Sequence, residues 1–160
     1  MSKVNVVIIM GSKSDLDHAQ MIQSEAEKLG LTIAMHIGSA HKTAHHLINI
    51  LDKYESIDHA KVYITIAGRS NALSGFVDGY VQAPVIACPP SSSSFGGADI
   101  FSSLRMPSGV APAVVLEPKN AALLAAKILS LQDESIAHKV RTYKQEQIEQ
   151  IIKANQEINE

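Results

Sequence analysis

The sequence predicts an α/β domain built on a parallel sheet of five strands. Short apolar runs of strand length alternate along the chain with longer stretches of helical spacing. The first, third and fifth runs are almost continuous in Val, Ile and Leu, as in strands that helices cover on both faces. A chain of 160 residues, of which 46% are hydrophobic, has the size of one ordinary domain with its own core. We therefore expect a single domain over residues 1–160.

The predicted elements follow one another in strict alternation. The strands are expected over 4–10, 32–37, 61–67, 84–89 and 110–116. Helices are expected between them over 15–29, 43–54, 73–81 and 98–104, and another follows the last strand over 120–131. Segment 133–160 adds a charged C-terminal helix that no crossover between strands requires. Its apolar stripe can pack on its own sheet or on another subunit, and we favour the second, which indicates a homo-oligomer.

The composition excludes several classes of function. A net charge of -2 provides no basic surface for nucleic acid or anionic lipid, and 4% aromatic residues without Trp do not suit base stacking. No apolar segment approaches the roughly 18 residues that a membrane span needs. The single cysteine, Cys88, excludes an internal disulfide framework, and we interpret it as a buried thiol rather than a nucleophile. A cytoplasmic protein with a small polar ligand is the expected class.

Three polar loops directly follow the first three predicted strands. They read GSKSD at 11–15, GSAHKT at 38–43 and AGRSNALSG at 67–75. Ligands of open parallel sheets bind beyond the carboxyl ends of the strands, where the strand order reverses. In a sheet of order 2-1-3-4-5 these loops would be neighbours on one rim, so the sequence predicts a ligand site there.

The first loop has the residue types of a phosphate site. Gly11 permits a sharp turn, and Ser12 and Ser14 offer hydroxyls beside the free N–H groups of a starting helix. Asp15 suits ribose hydroxyls better than a phosphate. Ser and Asp are equally typical of helix caps, which is the alternative interpretation. The loop has neither the dinucleotide fingerprint nor a P-loop, so a mononucleotide-sized ligand is favoured.

The second loop combines anion-binding residues with a histidine. Ser39 and Lys42 can contact an anion, and His41 precedes the helix, where a neutral imidazole can exchange a proton near pH 7. A structural histidine is the alternative. His41 and His45 have a spacing that suits zinc, but no further metal motif accompanies them, so we expect no metal. His45 and His46 are expected on the helix, one partly packed and the other exposed.

The third loop lets a ligand approach the backbone closely and supplies a positively charged side chain. Gly68 leaves room for a ligand, Arg69 can bind an anion bidentately, and Ser70 and Asn71 supply hydrogen-bond donors. The following apolar pair, 72–73, suits a nonpolar molecule. The alternative is a helix start with a salt-bridged arginine. The later segment PPSSSSFGG at 89–97 is either a linker or a mobile cover over the site.

These motifs, with CPPSSSSFGGADIFSSLRMPSG and EPKNAALLAA after them, resemble the catalytic protein of phosphoribosylaminoimidazole carboxylase over essentially the whole chain. The resemblance implies a flavodoxin-like three-layer α/β/α fold with a five-stranded sheet. It also implies a ribonucleotide of de novo purine synthesis as substrate. Active sites formed between subunits of an octamer or tetramer are a further implication.

The third loop distinguishes the two branches of this family. AGRSNALSG has no histidine and has Arg69 where the mutase loop has a glycine. It resembles the branch that carboxylates 5-aminoimidazole ribonucleotide with CO2, without ATP, biotin or a metal. A mutase acting on the N5-carboxy ribonucleotide is the alternative, and a non-enzymatic nucleotide-binding domain is a remote one. A receiver domain is disfavoured because Asp15 stands alone after the first strand.

The resemblance assigns roles to the predicted site residues. His41 becomes the general acid/base that removes a proton from the carboxylated ring carbon. Phosphate and ribose contacts fall to the GSKSD and SAHKT loops. Lys42 and Arg69 hold either the phosphate or the developing carboxylate, and both assignments stay open at this point.

Overall fold

The computed structural model describes residues 3–90 and 94–159. One sheet of five parallel strands has the order β2-β1-β3-β4-β5. The strands are β1 Val6–Met10, β2 Ile33–Ile37, β3 Val62–Ile66, β4 Val85–Ala87 and β5 Ala113–Val114. The predicted order is therefore confirmed. Because β2 and β3 flank β1 on opposite sides, the strand order reverses beside β1, directly below the three polar loops.

Six α-helices cover the two faces of this sheet. They are α1 Leu16–Lys28, α2 Ala44–Glu55, α3 Leu73–Tyr80, α4 Phe101–Leu104, α5 Pro118–Leu129 and α6 Glu134–Glu157. Two stretches of 3-10 type, Lys13–Asp15 and Ser94–Ile100, precede α1 and α4. No helix in the described ranges is long and apolar enough to cross a membrane.

Alternation along β1 divides the core into two layers, as expected for a three-layer fold. Val6, Ile8 and Met10 pack with α1, α5 and the start of α6. Val7 and Ile9 pack with α2 and α3 on the opposite face. All residues of β1 and β3 are buried, which confirms the expectation of strands covered on both sides.

The last two strands are shorter than the sequence predicts. Pro84 precedes β4 and Pro89 follows it closely, and Pro112 precedes β5. Proline has no N–H to donate to a neighbouring strand, so pairing stops near these residues. The expectation that the fifth run is buried on both faces is wrong. β5 forms an edge of the sheet, where Ala113 is exposed.

The C-terminal helix packs on its own chain through its first half. Asp133 caps α6, accepting hydrogen bonds from the backbone N–H groups of Ser135 at 2.9 Å and Ile136 at 3.3 Å. Ile136 and Val140 are buried against α5 and its neighbours. The second half differs, since it exposes three large apolar side chains, Ile148, Ile151 and Ile152. Contact with a neighbouring subunit therefore stays a prediction for that half alone.

Candidate active site

The three polar loops meet in one cleft at the carboxyl ends of β1, β2 and β3. Its volume is about 700 Å³, within the range of roughly 300–1,000 Å³ that small-molecule sites occupy. Of the eleven residues predicted from the sequence, ten line this cleft: Gly11, Ser12, Ser14, Asp15, Ser39, His41, Lys42, Gly68, Arg69 and Ser70. The fold thus brings together side chains that are up to 59 positions apart, from 11 to 70.

The first loop is joined to the end of β3. The backbone N–H of Gly11 donates to the carbonyl of Ile66 at 2.8 Å. A Cβ at position 11 would lie 3.4 Å from the Cβ of Ala67, so a larger side chain would press against the third loop. The Oγ atoms of Ser12 and Ser14 lie 2.5 Å apart and both are exposed. The two hydroxyls are hydrogen-bonded to each other, and they can donate to two oxygens of one phosphate if their hydrogens turn toward the ligand.

Asp15 closes the same loop from within. Its Oδ2 accepts hydrogen bonds from the backbone N–H of Ser12 at 3.1 Å and from the Oγ of Ser12 at 3.2 Å. A carboxylate accepts hydrogen bonds and repels a phosphate, so it suits the hydroxyls of a sugar. The expected cap and the expected ligand contact are compatible here, because Asp15 both caps the turn and lines the cleft.

The second loop is stabilised by bonds within itself. The hydroxyl of Ser39 accepts from the N–H of Lys42 at 3.2 Å, and the hydroxyl of Thr43 accepts from the N–H of Ser39 at 2.9 Å. The helix α2 begins only at Ala44, so His41 belongs to the loop. His41 is exposed, and its imidazole has no hydrogen-bond partner among the described residues. Its ring nitrogens are thus available to a ligand.

The other histidines of this region lie apart from the cleft. His45 and His46 are on α2, as expected, but both are exposed, so the expectation that one is partly packed is wrong. His36 in β2 lies 2.7 Å from the hydroxyl of Tyr54 through its Nε2. Burial, with Lys53 nearby, lowers the pKa of His36. Within the described ranges, no three His, Cys, Asp or Glu side chains are grouped as metal ligands would be.

The third loop has an unusual backbone at Arg69. Its φ is 57°, in the left-handed region that residues other than Gly and Asn rarely adopt. The N–H of Arg69 donates to Oδ2 of Asp99 at 3.1 Å, and the hydroxyl of Ser102 donates to its carbonyl at 3.0 Å. The salt bridges within the described ranges do not include Arg69, so the structure does not support the salt-bridged alternative.

Asn71 is the one predicted site residue that does not line the cleft. It is 3% exposed, and its Nδ2 donates to the hydroxyl of Ser103 at 2.9 Å. Its Oδ1 accepts from the N–H of Ser74 at 3.2 Å, in the first turn of α3. These contacts favour a structural role for its side chain over ligand binding.

A second cavity of about 260 Å³ adjoins the cleft and shares Ala67, Gly68 and Pro90 with it. Its wall also includes Asp99 and Ser103. Neither residue is predicted from the sequence, because both lie about 30 positions after the third loop, in a stretch predicted only as a helix. The one available signal was an Asp and two Ser at the start of a short apolar helix.

Buried Cys88 and partly buried His18 form a pair near the start of α1. The Nε2 of His18, in the first turn of α1, lies 3.3 Å from the Sγ of Cys88 after β4. Burial, reinforced by the Glu117 carboxylate, raises the pKa of the Cys88 thiol to about 12. Burial also lowers the pKa of His18. Both side chains are therefore neutral at pH 7, which supports the interpretation of Cys88 as an inert thiol despite a histidine that the sequence did not reveal.

Comparisons of the sequence and of the structure with known proteins give one consistent result. The sequence model of the family described as AIR carboxylase matches residues 5–150. A phosphoribosylaminoimidazole carboxylase of Treponema denticola is 61% identical over 147 residues, which cover 92% of each chain. The Archaeoglobus fulgidus protein of the same name is 53% identical over 155 residues, 97% of this chain and 85% of the relative. The crystal structure of Treponema denticola PurE matches with a TM-score of 0.95 and 58% identity, covering 97% of this chain and 98% of that one.

Proposed function

Because this chain belongs to the AIR carboxylase family, we propose that it carboxylates 5-aminoimidazole ribonucleotide directly with CO2, with His41 transferring the proton. As a member of this family the chain is an enzyme of purine biosynthesis. The product is 4-carboxy-5-aminoimidazole ribonucleotide, and the reaction is reversible. The observation that carries the proposal is that an exposed imidazole and Arg69 line one cleft with two exposed serine hydroxyls.

The ribonucleotide is bound across the first two loops. Ser12 and Ser14 hold the phosphate through their adjacent hydroxyls, and Lys42 adds a positive charge from the neighbouring strand end. Asp15 accepts hydrogen bonds from the ribose hydroxyls. Because β1 lies between β2 and β3 in the sheet, a phosphate at the first two loops leaves the third loop for the base.

The chemical step forms one carbon–carbon bond and releases one proton. The ring carbon beside the exocyclic amine is enamine-like, so its electron pair attacks the carbon of CO2 and one C=O bond opens to a carboxylate. The attacked ring carbon is then tetrahedral and still carries its hydrogen. His41 removes that proton, and the electron pair of the C–H bond restores the aromatic ring. In the reverse direction the imidazolium of His41 returns the proton before CO2 leaves.

The third loop provides the carboxylation end of the cleft. Ala67, Ala72 and Leu73 form an apolar part of the wall, which suits CO2. Arg69 lies in the same loop, and its guanidinium stabilises the carboxylate as the charge develops. Holding the gas beside the ring carbon in a water-poor pocket replaces a bimolecular encounter by a positioned one.

A turnover assay tests this function. Purified protein is mixed with 5-aminoimidazole ribonucleotide and bicarbonate, without ATP, and the carboxylated product is followed. Carbonic anhydrase in the mixture keeps CO2 at equilibrium, so supply of the gas does not limit the rate. We expect turnover, and no product under these conditions would contradict the proposal.

The mutase is the competing reaction, and the names of the two relatives favour the carboxylase. The N5-carboxy ribonucleotide is supplied with carbon-labelled bicarbonate and carbonic anhydrase. Direct transfer by a mutase would leave the product unlabelled. Carboxylation from the gas gives a labelled product, which is the expected result.

A cytoplasmic location and a homo-oligomer, as an octamer or tetramer, belong to the same proposal. The oligomer is supported by the three exposed isoleucines in the second half of α6 and by four further exposed apolar residues: Phe95, Phe101, Leu104 and Leu116. Surfaces of this kind mark contacts between proteins. Sedimentation of the purified protein tests it, and a monomer at micromolar concentration would contradict it.

A further inference from the structure

The segment Asp99–Ser103 contacts the third loop from the side opposite its exposed residues. Three side chains make the contacts: Asp99 at the end of the 3-10 stretch, and Ser102 and Ser103 in α4. Each bonds to Arg69 or to Asn71. The loop that carries Arg69 is thus held by residues about 30 positions later in the chain.

Ser102 is at the centre of these contacts. Its Oγ accepts a hydrogen bond from the N–H of Asn71 at 2.9 Å. Its single hydroxyl hydrogen lies within reach of two carbonyl oxygens, of Arg69 at 3.0 Å and of Asp99 at 2.7 Å. One side chain therefore connects both ends of the turn at 69–71 to α4.

Both backbone polar groups of Arg69 are bonded to this segment. Asp99 accepts from its N–H at 3.1 Å and Ser102 donates to its carbonyl. A residue other than glycine in the left-handed region is strained, and the strain persists only where surrounding contacts enforce it. The bonds from Asp99 and Ser102 enforce this backbone conformation of Arg69. Only the guanidinium of Arg69 is then left to contact a ligand.

We infer that Asp99 and Ser102 are positioning residues that hold Arg69 in its left-handed conformation, so that its guanidinium meets the carboxylate formed in the cleft. This inference rests on the proposed function. Neither residue touches the reacting atoms; both act through the backbone of Arg69. Ser103 supports the same turn, since its hydroxyl accepts from Nδ2 of the buried Asn71 at 2.9 Å.

A double-mutant cycle tests this role. The variants are Ser102→Ala, Arg69→Ala and both together, with Ser130→Ala as the matched control. The hydroxyl of Ser130 donates to the carbonyl of Lys127 at 2.7 Å at the end of α5, and Ser130 does not line the cleft. For each variant kcat, KM and Tm are measured with the ribonucleotide and CO2.

We expect Ser102→Ala to lower kcat about tenfold with KM changed less than about twofold, because hydrogen bonds to the loop are lost. In the Arg69→Ala background the same substitution lowers kcat less than about twofold, since there is no guanidinium left to position. Ser102→Thr, which keeps the hydroxyl, restores most of the activity. Ser130→Ala leaves kcat unchanged.

Equal losses from Ser102→Ala in both backgrounds would overturn the inference, as would a fall in Tm with unchanged kcat for the folded protein. If Ser102→Ala does not fold, Asp99→Ala replaces it in the same cycle with the same expected outcomes. The wild-type protein is assayed in parallel. If the wild type turns over the ribonucleotide while the effects of the two substitutions on kcat are additive, only this inference fails. If the wild type neither binds nor converts the ribonucleotide, the proposed function fails and this inference fails with it.

Discussion

The second and third loops line the same cleft but are held in different ways. The loop at 39–43 is stabilised by bonds among its own residues, and His41 itself has no side-chain partner in the described ranges. The loop at 67–72 is bonded to a distant segment, and Arg69 has a strained backbone. The side chain that we propose as the proton acceptor is thus supported locally, whereas the cation that we propose to stabilise the carboxylate depends on tertiary contacts.

This difference has a chemical reason. A proton acceptor functions over a range of approaches, provided that it reaches hydrogen-bond distance of the proton. A cation that stabilises a developing charge is effective only if it is already oriented at that position. A short local turn is sufficient to place the proton acceptor, whereas orienting the cation takes contacts from outside its loop.

Replacing His41 should have the largest effect. We expect His41→Asn to lower kcat about 10²- to 10⁴-fold, because the ring carbon loses its proton acceptor. KM and Tm should change little, since the side chain is exposed and bonded to no described residue. Steady-state kinetics and thermal melting measure both. Retention of full kcat with normal binding would disprove the acid/base role.

Arg69→Gly should have the next largest effect and separate activity from stability. We expect kcat to fall about 10- to 100-fold, since a charge-assisted interaction with the carboxylate is lost. Tm should be maintained, because glycine adopts a φ of 57° without strain. A rise in KM with unchanged kcat would instead assign Arg69 to the phosphate, and a large fall in Tm would refute the strain argument.

Ser39→Ala tests the locally supported loop and should have a smaller effect. The substitution removes the acceptor for the N–H of Lys42, a bond at 3.2 Å. We expect kcat/KM to fall about two- to tenfold. Ser56→Ala is the control, because it removes a comparable bond, to the carbonyl of Lys53 at 3.0 Å, at the end of α2. An effect as large as that of Arg69→Gly would show that both loops need equally exact support.

The smallest effect concerns the pair of His18 and Cys88. Burial lowers the pKa of His18 from 6.5, so below that pH the unfolded chain takes up a proton more readily than the folded one. The contribution of neutral His18 to the free energy of unfolding is therefore fully present above pH 6.5 and is lost as the pH falls below it. In His18→Gln we expect the fall in Tm between pH 7 and pH 5 to be smaller by about 1 °C, because His18 is only half-buried. A fall as steep as that of the wild type would contradict this.

The fold and most of the cleft could be predicted because they depend on local patterns. Apolar runs predicted β1 and β3, and the polar residues directly after the first three predicted strands include ten that line the cleft. Asn71 does not line the cleft. A polar residue next to a site can either contact the ligand or stabilise the turn, and the sequence does not distinguish these two roles. The ends of β4 and β5 depend on prolines and on the position of the sheet edge.

The contacts that support the third loop could not be predicted. Asp99 and Ser102 reach Arg69 only because the chain returns to the third loop after about 30 residues. His18 and Cys88 meet in the same way, 70 residues apart. Such pairs depend on tertiary geometry, which no spacing in the sequence reports.

Deuterium incorporation tests the central claim most directly. The carboxylated ribonucleotide is decarboxylated in D2O by the wild-type protein and by His41→Asn, and the 5-aminoimidazole ribonucleotide formed is examined by proton NMR. We expect the wild type to place deuterium on the ring carbon that loses CO2, and His41→Asn to bind the ribonucleotide yet convert it at least about 100-fold more slowly. Deuterated product formed by His41→Asn at the wild-type rate would contradict proton transfer by His41.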